Sequence, residues 1–182
     1  MAWGFPGYKE SLTAPQVDRP MQLELIFKFL LLLAIANGTP VVAKRLLGRF
    51  LCYSLDAGVT FIDGRALLGS SKTIRGILVS VIATSVCAPV FGFAWTTGFL
   101  IGLAAMAGDL VSSFIKRRLG YPPSSRALGL DQIPESLLPA LACKSLLALT
   151  FADVISIVVL FFVGDLIFSR LLFKINLRDE PY

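Results

Sequence analysis

Histidine is missing from this 182-residue sequence, and cysteine occurs only three times. Without imidazole, Ser-His and Cys-His catalysis are excluded, and so is imidazole ligation of a metal. The three cysteines, Cys52, Cys87 and Cys143, lie far apart with no CxxC spacing, so they indicate core thiols and not a zinc site or a disulfide framework. A GxxxxGK[ST] phosphate-binding loop is also absent.

Charge is scarce too: 16% of the residues are charged, 55% are hydrophobic, and the mean hydropathy is +0.76. From Gly76 to Gly108 the sequence contains no charged residue at all. Because one membrane-spanning helix needs about 20 residues, this longer run predicts two spans that turn near residues 89–92. The composition therefore indicates an integral membrane protein and not a water-soluble domain.

Five apolar segments predict an all-α integral membrane protein in which residues 1–182 form a single membrane-embedded domain. The predicted transmembrane helices lie near residues 21–36, 76–92, 95–115, 136–150 and 154–173. Ala34-Ile35-Ala36 resembles a signal-peptidase site, but Glu24 and Lys28 interrupt the preceding apolar segment, which favours a retained first helix over a cleaved signal peptide. The Asn37-Gly38-Thr39-Pro40 block predicts the end of that helix.

The basic residues are distributed unevenly about these helices. Six lie in the 37–75 segment, four in the 116–126 segment and three near the C-terminus, all on one side if five helices cross. By the positive-inside rule that side is cytoplasmic, which predicts a multi-pass cell-membrane protein whose two cytoplasmic loops form a polar cleft. The net charge of +5 suits anionic lipids or a nucleotide. Nucleic acid is disfavoured, because the bases interrupt hydrophobic spans instead of forming a soluble basic face.

The densest polar cluster starts where the uncharged run ends. On a helix, Asp109, Ser113, Lys116 and Arg117 lie on neighbouring turns of one face, and Asp131 follows across a Pro- and Ser-containing loop. Mg²⁺ typically takes one or two carboxylates plus substrate phosphates, and Lys and Arg offset phosphate charge, so this pattern suits Mg²⁺-nucleotide binding. The alternative for Asp109 is an ion pair inside the bundle.

Three further features have open alternatives. The Gly69-Ser70-Ser71-Lys72-Thr73-Ile74-Arg75-Gly76 block combines small residues with Lys and Arg, and it either surrounds phosphate oxygens or forms a solvated loop. Asn37 either caps the first helix or directs its amide to a ligand, and the cap is favoured. Lys144 and Asp165 lie inside apolar segments and are predicted to pair between adjacent helices.

These blocks resemble the archaeal CDP-archaeol synthases, relatives of the bacterial and eukaryotic phosphatidate cytidylyltransferases. The blocks that carry the resemblance are Ala36-Asn37-Gly38-Thr39-Pro40, Phe61-Ile62-Asp63-Gly64-Arg65 with the 69–76 block, and Gly108-Asp109-Leu110 through Lys116-Arg117-Arg118 to Leu130-Asp131-Gln132. The bacterial signature continues with a Pro-Gly-His-Gly-Gly-type loop, where this chain has Pro122-Pro123-Ser124-Ser125-Arg126. That difference is in keeping with the shorter archaeal branch.

The resemblance implies that CMP is transferred from CTP to the phosphate of an unsaturated archaetidic acid, 2,3-bis-O-geranylgeranyl-sn-glycerol 1-phosphate, giving CDP-archaeol and pyrophosphate. It implies that Asp109 and Asp131 hold Mg²⁺ and form, with Lys116, the catalytic group. The residues implied to contact or lie near the nucleotide or the lipid phosphate are Lys72, Arg75, Ser113, Arg117, Asn37 and Asp63. The isoprenoid chains would stay among membrane lipids while the phosphate reaches the cytoplasmic cleft.

Two other functions fit part of the pattern. A CTP-dependent polyprenol kinase would release CDP and leave a phosphorylated lipid. A small membrane transporter would place Asp109, Lys144 and Asp165 along a pathway and would need no CTP. The absence of a visible internal duplication disfavours a repeat-built transporter.

Overall fold

Five α-helices and one short 3-10 turn form the described part of a computed structural model of the chain, residues 21–48 and 53–174. The elements are α1 (Leu23–Leu47), α2 (Ile74–Cys87), a 3-10 turn (Ala88–Phe91), α3 (Trp95–Arg118), α4 (Gln132–Ala142) and α5 (Phe151–Lys174). Within these ranges there is no strand, which confirms the all-α prediction. The segment 1–20, Arg49, Cys52 and the tail from Asn176 lie outside the described residues.

Among the described residues, three segments are long and apolar enough to cross a membrane: α1, Ile74–Phe91 and α3. α4 has 11 residues. A helix of that length is about 17 Å long, too short by itself for a hydrocarbon core of about 30 Å. α5 has 24 residues. An apolar, all-helical membrane protein is thus confirmed, whereas five crossing helices stay a prediction.

α1 continues through the Asn37-Gly38-Thr39-Pro40 block, so the predicted helix end is wrong, and so is the cap role favoured for Asn37. Pro40 has no N–H to donate to the carbonyl of Ala36, four residues earlier. Ser80 Oγ of α2 donates to that carbonyl at 2.7 Å. The neighbouring helix therefore supplies the hydrogen bond that proline removes, which is how membrane helices tolerate proline.

α2 and α3 form the hairpin predicted around residues 89–92. Gly98 of α3 packs directly on α2, since a Cβ at this position would lie 2.5 Å from the Ala88 Cβ and from the Thr84 carbonyl oxygen. α3 also packs against α1 and α4. It is therefore the central helix, and its fully buried Ile101 lies in one core with side chains of α1 and α5. Cys143 is fully buried in the same core, as predicted for a core thiol.

The helix predicted over residues 136–150 is shorter than expected, because α4 ends at Ala142. Turns follow, with Ala148 in a left-handed conformation and Leu149 N donating to Lys144 O at 2.9 Å. Thr150 and Asp153 then start α5 by bonding each other's backbone N–H groups, in the manner of a capping box.

The predicted Lys144–Asp165 pair is wrong among the residues that the structure describes. Lys144 Nζ lies 3.3 Å from the ring centroid of Phe151. Asp165 Oδ2 instead accepts a hydrogen bond from Gln132 Nε2 at 2.8 Å. Each group therefore has a different partner.

Candidate active site

The polar face predicted on α3 is present and points into the protein. Ser112, Ser113, Lys116 and Arg117 are all buried, with at most 6% of each residue exposed. Charged and hydroxyl side chains that are buried at the end of an apolar helix must find polar partners. Lys116 finds its partners in the α3–α4 loop (residues 119–131), whereas Ser112 Oγ donates to the Asp109 carbonyl of α3 itself at 2.9 Å. The other loop that adjoins this end of α3 is the α1–α2 loop (residues 53–73).

Lys72 of the α1–α2 loop lies against Asp109 of α3, with its Nζ 2.5 Å from the carboxylate oxygens. The two side chains are about one-fifth exposed. Asp109 is thus ion-paired, as the alternative interpretation held, but its partner comes from the second predicted block. The pair brings the 69–76 block and the α3 face together.

The second predicted acid, Asp131, lies against the same face of α3, at Lys116. Lys116 Nζ lies 2.6 Å from Asp131 Oδ1 and donates to the Ser125 carbonyl at 2.9 Å. Asp131 Oδ2 accepts from Ala127 N at 3.0 Å. Since Asp109 and Lys116 are seven residues apart on one helix, the two Lys–Asp pairs are stacked two turns apart.

Glu135, in the first turn of α4, is an acid of this cluster that the sequence patterns did not single out. Its carboxyl group lies close enough to Asp109 for the two acids to interact. Burial, together with the nearby Asp109 carboxylate, raises the pKa of Glu135 well above its usual value, although Lys72 opposes this. The available signal was its spacing of four residues from Asp131, which places both on one face of α4.

Gly108 allows this contact, because α3 and α4 touch at their backbones beside it. A Cβ on Gly108 would lie 2.2 Å from the Pro134 carbonyl oxygen and 2.8 Å from the Glu135 Cα. No real side chain occupies such a space. The absence of a side chain at Gly108 therefore positions Glu135 against Asp109.

Arg117 is the cation of the cluster whose hydrogen-bonding capacity is least used. It is 4% exposed, and its Nε and Nη1 are buried without a hydrogen-bond partner. A Cβ built on Gly69 of the α1–α2 loop would lie 3.6 Å from Nη1. A buried guanidinium with unmatched donors is costly unless an anion completes it. The site therefore has two neutralised Lys–Asp pairs and one guanidinium suited to a phosphate.

Three predicted site residues have other surroundings. Arg75 is buried and donates through Nη1 to the Gly48 carbonyl at the end of α1, at 3.1 Å. Asp63 accepts from Arg118 Nη1 at 2.8 Å and so links the α1–α2 loop to the end of α3. Asn37 lies within α1, and its Nδ2 is buried without a hydrogen-bond partner. Direct roles of these three in phosphate binding stay predictions.

Over the described ranges, no group of three or more Asp, Glu or Cys side chains is arranged to hold a metal ion by itself. Asp109 and Asp131 each contribute carboxylate oxygens, each now paired with a lysine, and Asp131 Oδ1 is buried. One or two carboxylates completed by phosphate oxygens is the donor set that Mg²⁺ usually takes. The residues thus fit a magnesium ion that arrives with a nucleotide.

Comparisons with known proteins agree on one family. A family model described as CarS-like, CDP-archaeol synthase, matches residues 89–182. The CDP-archaeol synthase of Sulfurisphaera tokodaii is 36% identical over 154 residues, which cover 81% of this chain and 84% of the relative. That of Pyrobaculum calidifontis is 34% identical over 166 residues, which cover 87% of this chain and 99% of the relative.

A solved structure is similar as well. It is described as an intramembrane enzyme for archaeal membrane lipids biosynthesis and is 33% identical to this chain. The superposition has a TM-score of 0.68 and covers 79% of this chain and 91% of the other. The similarity thus extends over most of both chains in sequence and in fold.

Proposed function

This chain belongs to the CDP-archaeol synthase family, and we propose that it transfers CMP from CTP to the phosphate of 2,3-bis-O-geranylgeranyl-sn-glycerol 1-phosphate, with release of pyrophosphate. Because CDP-archaeol synthesis is a cytidylyl transfer, the chain is a cytidylyltransferase whose substrates are CTP and a lipid phosphate. Its apolar helices and its intramembrane structural relative make it a membrane protein.

Arg117 is the observation in the site that best supports this reaction. Its unpartnered Nε and Nη1 are buried, and Nη1 lies beside Gly69 of the α1–α2 loop. A phosphate group would supply the acceptors that these donors lack, and guanidinium binds phosphate with two parallel hydrogen bonds. We assign Arg117 to the CTP phosphates.

The chemical step needs positioning and charge neutralisation more than proton transfer. An oxygen of the lipid phosphate attacks the α-phosphorus of CTP, and the bond from that phosphorus to the bridging oxygen of the β-phosphate breaks. Because a phosphate monoester is already mostly ionised near neutral pH, no general base is required. Lys72, Lys116 and Arg117 offset the charge on the reacting and departing phosphates.

Asp109 and Asp131 are the residues that we expect to hold Mg²⁺ together with the nucleotide phosphates. The ion would supply further neutralisation of phosphate charge. The site would face the cytoplasm, since the basic loops lie at its end of the bundle. The isoprenoid chains would then enter from the bilayer.

The reaction is tested with purified protein, radiolabelled CTP and the geranylgeranyl lipid phosphate. We expect lipid-dependent release of pyrophosphate and a labelled lipid product, both abolished by Asp109→Asn because that change removes a charge from the cluster. Glu24→Gln is the matched control, since Glu24 is an exposed acid paired with Lys28 on α1. Its activity should equal that of the unmodified protein.

Other products would contradict the proposal in defined ways. Release of CDP would indicate a polyprenol kinase. Solute flux into liposomes without a requirement for CTP would indicate a transporter. Full turnover by Asp109→Asn would reject the assigned site.

A further inference from the structure

The α1–α2 loop folds around a buried carboxylate. Asp56 is 6% exposed, and its two oxygens accept four hydrogen bonds from uncharged donors. Oδ1 accepts from Ser54 Oγ at 2.5 Å and Gly58 N at 3.2 Å. Oδ2 accepts from Leu68 N at 3.0 Å and Gly69 N at 2.7 Å. Asp56 thus ties the start of the loop to its end without an ion pair among the described residues.

The end of the loop held by Asp56 is the part that reaches α3. Leu55 N donates to Lys72 O at 2.7 Å, which keeps Lys72 beside the first residues of the loop. From there the Lys72 side chain reaches Asp109. Gly69, whose N–H binds Asp56, adjoins Arg117 Nη1. The Asp56 carboxylate therefore helps to fix the position of Lys72 and that of Gly69 beside Arg117.

We propose that Asp56 is a positioning residue of the nucleotide site, which sets Lys72 and Gly69 against α3 without contacting CTP. This inference rests on the proposed function of the chain. The four hydrogen bonds occupy both oxygens of Asp56, so the carboxylate is not available to a ligand. Because Lys72 and Arg117 face the phosphates, disturbance of the loop affects CTP binding and leaves the lipid chains in place.

Asp56→Asn tests the proposal, since an amide nitrogen would meet donors where an oxygen now accepts them. We expect the KM for CTP to rise roughly 10- to 100-fold, as activity falls when an outer-shell partner of a metal ligand is changed. The KM for the lipid phosphate should stay unchanged. Hydrogen exchange of the loop peptide that contains Leu68 and Gly69 should become faster.

Two further variants complete the test. Ser54→Ala removes one of the four donors, so a smaller rise in the KM for CTP is expected, and it serves if Asp56→Asn does not fold. Ile62→Ser changes a residue of the same loop that is 95% exposed and should leave both KM values unchanged. Measured thermal stability shows whether each variant is folded.

The outcomes separate this proposal from the proposed function. If the unmodified protein turns over CTP but the loop variants exchange faster with an unchanged KM for CTP, the positioning role is wrong. An equal rise in the KM for both substrates would also overturn it. If the unmodified protein shows no CTP-dependent turnover, the proposed function itself fails.

Discussion

Helical spacing alone predicts that Lys116 and Asp109 belong to one site, but it does not predict that Glu135 belongs there too. The first two are seven residues apart on α3 and share a face for that reason. Glu135 contacts Asp109 only because α4 crosses α3 at Gly108. Nothing in the spacing along the chain encodes that crossing.

Asp56 gives the site loop a defined pH dependence. Burial would raise its pKa, but hydrogen bonds from Ser54 and from the backbone N–H groups of Gly69, Leu68 and Gly58 outweigh burial and lower the pKa from 3.8 to about 2. Because the folded-state pKa is the lower one, the stabilisation by Asp56 is complete above pH of about 4 and is lost as the pH falls towards 2.

The measurement is the melting temperature in detergent between pH 5 and pH 2, for the unmodified protein and Asp56→Asn; this window of about three pH units runs from above the unfolded-state pKa of Asp56 down to its folded-state pKa. The melting temperature of the unmodified protein should fall more steeply below pH of about 4 than that of the variant. Parallel profiles would mean that Asp56 does not stabilise the loop through its charge.

Glycines in α3 lie at close helix–helix contacts in this protein, and Gly108 lies directly against the backbone of α4. Gly108→Ala would force a Cβ to within 2.2 Å of the Pro134 carbonyl oxygen, so the helices must separate. We expect a loss of about 1–3 kcal/mol in the free energy of unfolding, typical of overpacking, together with reduced turnover because Glu135 moves from Asp109.

Gly164→Ala in α5 is the matched control, because a Cβ there would meet no atom within 4 Å. Its stability should stay the same or rise by up to about 1 kcal/mol from improved helix propensity. Chemical denaturation in detergent and the pyrophosphate assay give both quantities. Equal stability of the two variants would contradict the close approach of α3 and α4.

Ser80 decides whether α1 can pass through Pro40 as one helix. Ser80→Ala leaves the buried Ala36 carbonyl without a donor, which should cost about 1–3 kcal/mol. Ser85→Ala is the control on the same helix, because the Ser85 hydroxyl donates to Val81 O, a carbonyl that already accepts a bond within α2. Thermal stability should fall clearly more for Ser80→Ala, and equal losses would refute the interhelical role.

Across the whole molecule, the basic loops and the acidic cluster lie at one end of the bundle. Arg118 pairs with Asp63 across the two loops, and Arg126 Nη1 donates to Ser169 Oγ near the end of α5 at 3.1 Å. The opposite end is formed by the start of α1, where Gln22 N donates to Asp153 Oδ1 at 3.2 Å. This polarity is what the positive-inside rule uses to orient a membrane protein.

Single cysteines introduced at the two ends test that orientation in a variant without the native cysteines. Ile62→Cys in the α1–α2 loop and Val90→Cys in the α2–α3 turn are the positions chosen, since both residues are exposed, by 95% and 81%. In intact cells an impermeant maleimide should label only Val90→Cys. Labelling of Ile62→Cys under the same conditions would reverse the proposed topology.

The sequence by itself determined the class of protein and indicated the polar end and most residues of the candidate site. The long uncharged run from Gly76 to Gly108 indicates membrane-spanning helices, because a charged side chain inside a bilayer is costly. The clustering of bases in the loops defines one end, and the blocks around Lys72, Asp109 and Asp131 carry the family resemblance that the relatives confirm.

Only the tertiary structure decided which polar groups find partners. α1 continues past Pro40 because Ser80 lies beside Ala36, whereas Lys144 lies against the Phe151 ring and Asp165 accepts from Gln132 instead of pairing with each other. Arg117 keeps unpartnered donors, while the carboxylates of Asp109 and Asp131 are paired with lysines. Periodicity acts along one helix, whereas the satisfaction of a hydrogen bond depends on which atoms of another segment come within about 3 Å.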